Sequence, residues 1–153
     1  MTEGKAIQFV VEGLAVPQGR SRAVVTSKGV HVYDPKRSRD WKAYFRMAAM
    51  KFKPEQPLDG PLALSVSFFL PRPKSRPKRD TWPDRKPDLS NLLKAVEDAM
   101  TGVFWRDDSQ IVRAVQVKRY AGAYSPRVYV EVGPVDDYYW PELRRIRGSF
   151  WRR

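Results

Sequence analysis

Apolar side chains recur along this chain with two different periods, and the switches between them mark the elements. Residues 6–16 (Ala-Ile-Gln-Phe-Val-Val-Glu-Gly-Leu-Ala-Val) read as a first strand, ended by Pro17 and Gly19. Val24 and Val25, a turn at Ser27-Lys28-Gly29 and the alternating Val30-His31-Val32-Tyr33 predict a hairpin over 22–33. Asp34-Pro35 breaks that pattern, and Ser38 is the expected N-cap of a helix running to about Lys51. Trp41, Tyr44, Phe45 and Ala48 fall at i, i+3, i+4 and i+7 and form its expected buried stripe. The clearest strand is 62–70, where Leu62, Leu64, Val66 and Phe68 alternate. A second helix is predicted over 89–101, with Leu89, Leu92, Leu93, Val96 and Met100 on one face and Gly102 placed to end it. Residues 111–120 and 127–132 read as a final pair of strands around Gly122. The order gives an α+β fold: a mixed, mainly antiparallel sheet with two main helices packed against it. One domain is expected over 1–135. Residues 136–153 form a basic, aromatic C-terminal extension, either a short helix at Pro141–Arg147 or a disordered tail.

Composition narrows the function classes. At 153 residues and 42% hydrophobic, the chain can bury a core without staples. It has no cysteine, so disulfides and thiolate metal sites are excluded and a reducing cytosol is the natural setting. With His31 as its one histidine, no site can use two imidazoles, and hard oxygen ligands are what remain. The formal net charge of +12 favours a polyanionic partner. No apolar run approaches the ~20 residues that span a bilayer. The polar start Met-Thr-Glu-Gly-Lys has no signal-peptide core. Nucleic acid is therefore the expected partner, with no membrane and no small-molecule cofactor.

Residues 71–87 hold five prolines and seven Lys or Arg, which excludes a helix or a central strand. They read as a mobile basic loop that grips phosphates. The expected nucleic-acid contacts are Arg20, Arg22, Arg76, Lys78, Arg79, Lys86 and Asn91.

Against that positive background, clustered acids stand out. Asp88 lies just before the second helix, where a carboxylate can either cap the free N–H groups or face outward. Ser90, Lys94, Glu97 and Thr101 follow at i, i+4, i+7 and i+11, one polar flank beside the leucine face. Asp98 points farther round and is expected to face solvent. After the helix, Asp107-Asp108 stands at the mouth of the next strand. Carboxylates from two such elements can hold Mg²⁺, which prefers oxygen and keeps some of its waters. A metal held there can generate hydroxide and neutralise charge on a reacting phosphate, and a nearby lysine can stabilise that charge or orient the attacking water.

The run Lys86-Pro87-Asp88-Leu89-Ser90-Asn91-Leu92-Leu93-Lys94, then Asp98-Ala99-Met100-Thr101-Gly102 and Asp107-Asp108-Ser109-Gln110-Ile111-Val112, closely resembles the RusA-like Holliday junction resolvases, often encoded by bacteriophages and prophages. The core of the resemblance spans about residues 86–118, with looser agreement around Val16-Pro17-Gln18-Gly19-Arg20-Ser21-Arg22. It implies a homodimer that binds four-way DNA junctions and makes paired, symmetric nicks with Mg²⁺, or Mn²⁺ in its place, in the cytoplasm of a bacterial cell. It also implies catalytic roles for Asp88, Lys94 and Asp108, with Asp107 beside them. The family's second acid, an aspartate two residues after the first, is Ser90 here. Glu97, on the same flank and about 10 Å of helical rise from Ser90, is the expected replacement ligand, giving a metal set of Asp88, Asp108, Asp107 and Glu97. The competing readings are a module that binds branched DNA without cutting it, and a single-strand or RNA-directed nuclease with the same metal chemistry.

Overall fold

A computed structural model describes residues 6–135. The expectations for 136–153 lie outside the described residues. The elements are β1 (Ile7–Glu12), β2 (Arg22–Thr26), β3 (Gly29–Tyr33), α1 (Lys36–Ala49), β4 (Leu62–Leu70), α2 (Leu89–Met100), β5 (Ile111–Tyr120) and β6 (Arg127–Pro134), with 3₁₀ turns at Met50–Phe52 and Asp108–Gln110. The main sheet has the order β1-β6-β4-β5, and β2-β3 form a separate hairpin. Only β4·β5 is parallel; β1·β6 and β4·β6 are antiparallel. This is the expected α+β class.

β4 takes a central place because its side chains leave little to expose. Leu62, Leu64, Val66, Phe68 and Leu70 are all buried, and so is Ala63. Such a strand buries most when it has a neighbour on each edge. That choice overturns one expectation: β5 and β6 are consecutive but do not pair with each other, since β4 lies between them. The parallel β4·β5 contact needs a long crossover, and the basic loop with α2 supplies it. Against this sheet pack Phe45 and Trp41 of α1, and Leu92, Val96 and Met100 of α2. Phe9 lies between Phe52 and Phe104, with ring centroids at 5.2 and 5.3 Å. Full burial of each such side chain contributes about 1.5–3 kcal/mol.

Three element boundaries differ from the pattern-based reading. β1 stops at Glu12, not residue 16, because Gly13 takes φ +116°, a conformation outside any strand. α1 begins at Lys36 behind Pro35, and Arg39 N–H already donates to the Pro35 carbonyl at 3.1 Å. Ser38 is therefore inside the first turn and buried, its hydroxyl accepting from Gly19 N–H, and does not cap the helix. The buried stripe is correspondingly Ser38, Trp41, Phe45 and Ala49. Tyr44 lies outside it, exposed, and its hydroxyl donates to the Glu12 carbonyl at 2.7 Å. At the other helix the expected stop holds: Gly102 has φ +82° just past Thr101.

The segment 71–87 is not the free loop its composition suggested. Arg72 donates through two nitrogens to the Asp80 carbonyl, Arg76 pairs with Asp80 and Asp84, and Tyr120 N–H donates to the Thr81 carbonyl. Lys118 of β5 donates to the Arg85 and Pro87 carbonyls at 2.7 and 2.9 Å. Prolines leave carbonyls without a ladder partner, and lysine and arginine side chains satisfy them.

Candidate active site on the polar flank of α2

The site begins where the clamped loop enters α2. Asp88 occupies the N-cap position with extended backbone, yet its side chain makes no capping hydrogen bond and stays exposed. It forms no ion pair among the described residues. The carboxylate is thus left free to face an external cation or donor. Lys94 follows after six residues, about 9 Å of rise along the same helix.

Lys94 lies between two carboxylates from different elements. Its ammonium is 3.0 Å from Asp98 Oδ1 and 3.2 Å from Asp108 Oδ2. The hydrogen bond to Asp98, and then that to Asp108, hold its pKa above the ordinary lysine value against the opposing effect of burial. Asp98 does not face solvent as expected: its second oxygen lies 3.6 Å from Lys42 of α1, which also holds Asp34 at 2.7 Å. Two cations on adjacent helices explain why this aspartate turns inward. Arg46 of α1 adds a cap to the end of α2, donating to the Ala99 and Asp98 carbonyls.

The Asp107-Asp108 pair divides its work through the 3₁₀ turn it opens. Asp107 caps that turn, accepting from Ser109 N–H at 2.8 Å. Hydrogen bonds from Ser109 hold its carboxyl below the ordinary aspartate value. Gln110 closes the turn: its carbonyl oxygen accepts from Arg106 and Asp107 N–H, and its amide donates to the Leu58 and Gly60 carbonyls. Asp108 points the other way, toward α2. Its Oδ1 accepts from the Thr101 hydroxyl and from Trp105 Nε1, and its Oδ2 from Lys94. Burial pushes the Asp108 carboxyl up, but the Thr101, Trp105 and Lys94 donors outweigh it, and the net direction is down. It stays ionised at neutral pH. Glu97 is half-buried, and burial followed by the nearby Asp108 charge pushes its carboxyl up.

Asp108, Lys94 and Glu97 therefore share one neighbourhood; Asp88 stands at the N-cap of α2, and no hydrogen bond or ion pair among the described residues joins it to them. Ser90 and Asn91 are exposed at the start of that helix, and the Asn91 carbonyl accepts from Gln18 N–H at 2.8 Å. Among the described residues, no three acidic side chains come close enough to enclose an ion by themselves. A hard divalent cation held by one or two of these carboxylates would complete its shell with water and substrate phosphate.

Of the expected nucleic-acid contacts, Arg20, Arg22, Lys78, Arg79, Lys86 and Asn91 are exposed. Arg76 differs: it is half-buried between Asp80 and Asp84, so its charge is spent inside the loop. Sequence reasoning missed Trp105, whose ring is fully buried while its N–H aims at Asp108. It also missed Lys118 and Lys42 as positioning groups. The one usable signal for Trp105 was a tryptophan two residues before an aspartate pair, in a turn where an apolar residue has no strand or helix to serve.

No described helix is long and apolar enough to cross a membrane. Residues 12–133 match the family model described as endodeoxyribonuclease RusA. An uncharacterized protein of Bacillus subtilis strain 168, YqaN, is 34% identical over 139 residues, covering 84% of this chain and 96% of that protein. A protein of Lactococcus phage r1t named crossover junction endodeoxyribonuclease rusA is 42% identical over 66 residues, covering 41% of this chain and 50% of its own length.

Proposed function

We propose, from the premise that the chain belongs to the RusA endodeoxyribonuclease family, that it is a Mg²⁺-dependent endonuclease that resolves four-way DNA junctions by paired phosphodiester hydrolysis. The observation that carries this reading is the arrangement between α2 and the 3₁₀ turn before β5: an ionised Asp108 held by three donors, a charged Lys94 at its side, and an uncommitted Asp88 at the start of α2. Asp108 and Asp88 would hold the ion, with Glu97 the candidate for the carboxylate that Ser90 lacks. The ion, when bound, supplies an activated water and neutralises charge on the phosphate. Lys94 keeps its proton and offers a fixed positive charge where negative charge develops. Thr101 and Trp105 keep Asp108 in one rotamer. Lys78, Arg79 and Lys86 draw the backbone toward a patch that would otherwise repel it.

Paired cuts in a two-fold symmetric substrate need two such sites, and a homodimer provides them. The setting is the cytoplasm of a bacterial cell, with the gene carried by the host, a phage or a prophage.

One observation favours a second reading, a branched-DNA-binding module that does not cut. Ser90 offers no charge where the family pattern has an acid, and among the described residues no carboxylate trio forms without it. The test is a labelled synthetic junction incubated with and without Mg²⁺. Symmetric nicks only with the metal support the nuclease. Tight binding in both conditions with no nick, in Mg²⁺ or Mn²⁺, sinks the nuclease and leaves the module.

A further inference from the structure

Asp88 does not open onto a flat surface. It lines a cleft of about 560 Å³, framed by the chain after β1, the first turn of α1, the ends of β4 and β5, the basic loop and the start of α2. The volume lies within the roughly 300–1,000 Å³ typical of small-ligand sites. Its chemistry is of two kinds. Ala15, Leu70, Pro83 and Tyr120, all buried, give it an apolar floor. Arg37, Arg85 and Lys86 line it as exposed cations with no ion pair among the described residues. Asn91, exposed beside Asp88, supplies an amide that both donates and accepts.

A phosphate backbone alone has no use for an apolar floor, and an apolar peptide has no use for three free cations. For a chain of a DNA-acting family, the ligand that has both is a single nucleotide, with a flat base and an anionic phosphate on each side. We infer that this cleft takes one unstacked nucleotide of the DNA, holding its base against the Leu70–Tyr120 floor while Arg37, Arg85 and Lys86 hold the flanking phosphates. This rests on the nuclease reading and extends it, because the nucleotide's phosphate then lies at Asp88. The branch point of a junction suits such a site, since pairs there are already weakened and extrusion costs least where stacking is poor. Asn91 is the group placed to discriminate among bases, as amide side chains read base edges.

The test uses the full-length protein and four-way junctions carrying 2-aminopurine at each position around the branch, bound in EDTA so that nothing is cut. A severalfold rise in emission at one position, and at its symmetry mate, is the expected result. An abasic residue at that position should slow Mg²⁺-dependent nicking at least tenfold while leaving junction affinity within threefold. Ser75→Trp, at an exposed position that lines the cleft, should fill it and remove both the emission rise and the nicking. Leu14→Trp, also exposed, repeats the block from another lining segment, so misfolding of one variant leaves the other to decide. Wild-type protein that nicks junctions with no emission change anywhere, and Trp variants that nick at the wild-type rate, overturn the cleft and leave the nuclease standing. Failure to nick overturns the nuclease reading, while the emission experiment still reads the cleft by itself.

Discussion

Replacing Lys94 by alanine separates a structural role from a chemical one, because the two predict losses of different size. The ammonium contacts Asp98 at 3.0 Å and Asp108 at 3.2 Å, but its side chain is 52% exposed. Ion pairs at such exposure contribute about 0.2–1 kcal/mol each. Neither partner is stranded by the change, since Asp98 keeps Lys42 and Asp108 keeps Thr101 and Trp105. The stability loss should therefore stay near or below about 1 kcal/mol, which lowers Tm by roughly 2–4 °C in a chain of this size. Removing a preorganised charge from the reacting phosphate costs far more, on the order of 10²–10³ in rate. Thermal melts and single-turnover cleavage of a labelled junction at saturating protein measure the two quantities on one sample. Lys94→Arg, which keeps the charge but shifts its position, should recover stability fully and rate only in part. An alanine variant that cuts within threefold of wild type, or one whose rate falls only because it unfolds, refutes the assignment.

The other sites give separate tests. Asp88→Asn and Asp108→Asn should each reduce cleavage by more than about 10³ while junction affinity in EDTA stays within threefold; parallel losses of affinity and rate would make them binding residues instead. Glu97→Gln should weaken Mg²⁺ binding in a calorimetric titration, and unchanged affinity with unchanged cleavage removes Glu97 from the site. Lys78→Ala with Arg79→Ala should flatten the slope of log affinity against log salt by roughly 2 units, whereas Arg76→Ala should lower Tm and leave the slope nearly unchanged; a full-unit slope change from Arg76 alone would contradict its burial between Asp80 and Asp84. Lys42, with Gln18 and Ser21, holds the Asp34 carboxyl at about 2, below its unfolded value of 3.8. Its contribution, about 1 kcal/mol after solvent screening, is fully present above pH 4 and lost as pH falls through 2, so the stability gap between wild type and Asp34→Asn should close across that window.

Most of the fold was legible because it rests on period. β4 and α2 bury their apolar positions against one core, and both boundaries follow from the residues that break the pattern, Pro71 and Gly102. Pairing was not legible in the same way. Nothing local in 111–134 says that β4 will come between β5 and β6; that follows from how completely β4 must be covered. α1 shows the limit of capping rules, where Pro35 takes the N-cap three residues before Ser38, and of stripe reading, where Tyr44 stays exposed beside buried Trp41 and Phe45. The loop at 71–87 shows the limit of composition, since the same arginines that suggested phosphate binding are partly consumed in holding proline-rich backbone together. Within the site, spacing placed Lys94, Glu97 and Thr101 on one flank but left Asp98 misassigned. Its orientation depends on Lys42, 56 residues earlier in the chain and on another helix.

The aspartate pair shows how two adjacent, chemically identical residues come to different work. A 3₁₀ turn needs an acceptor at its N-cap, and Asp107, with extended backbone, meets that need with its own side chain. Gln110 then ties the turn to Leu58 and Gly60, just before β4. With the turn fixed on both sides, the next residue has little freedom: Asp108 is aimed at α2, where Thr101, Trp105 and Lys94 meet it. The Asp-Asp-x-Gln spacing is therefore a mechanical unit, in which one acid and the glutamine build the mount and the other acid is what it carries. By that logic, Gln110→Ala should damage cleavage through Asp108 without touching the DNA or any ion, and its effect should vanish in an Asp108→Asn background. Additive losses in that double variant would mean that the mount and the acid act separately.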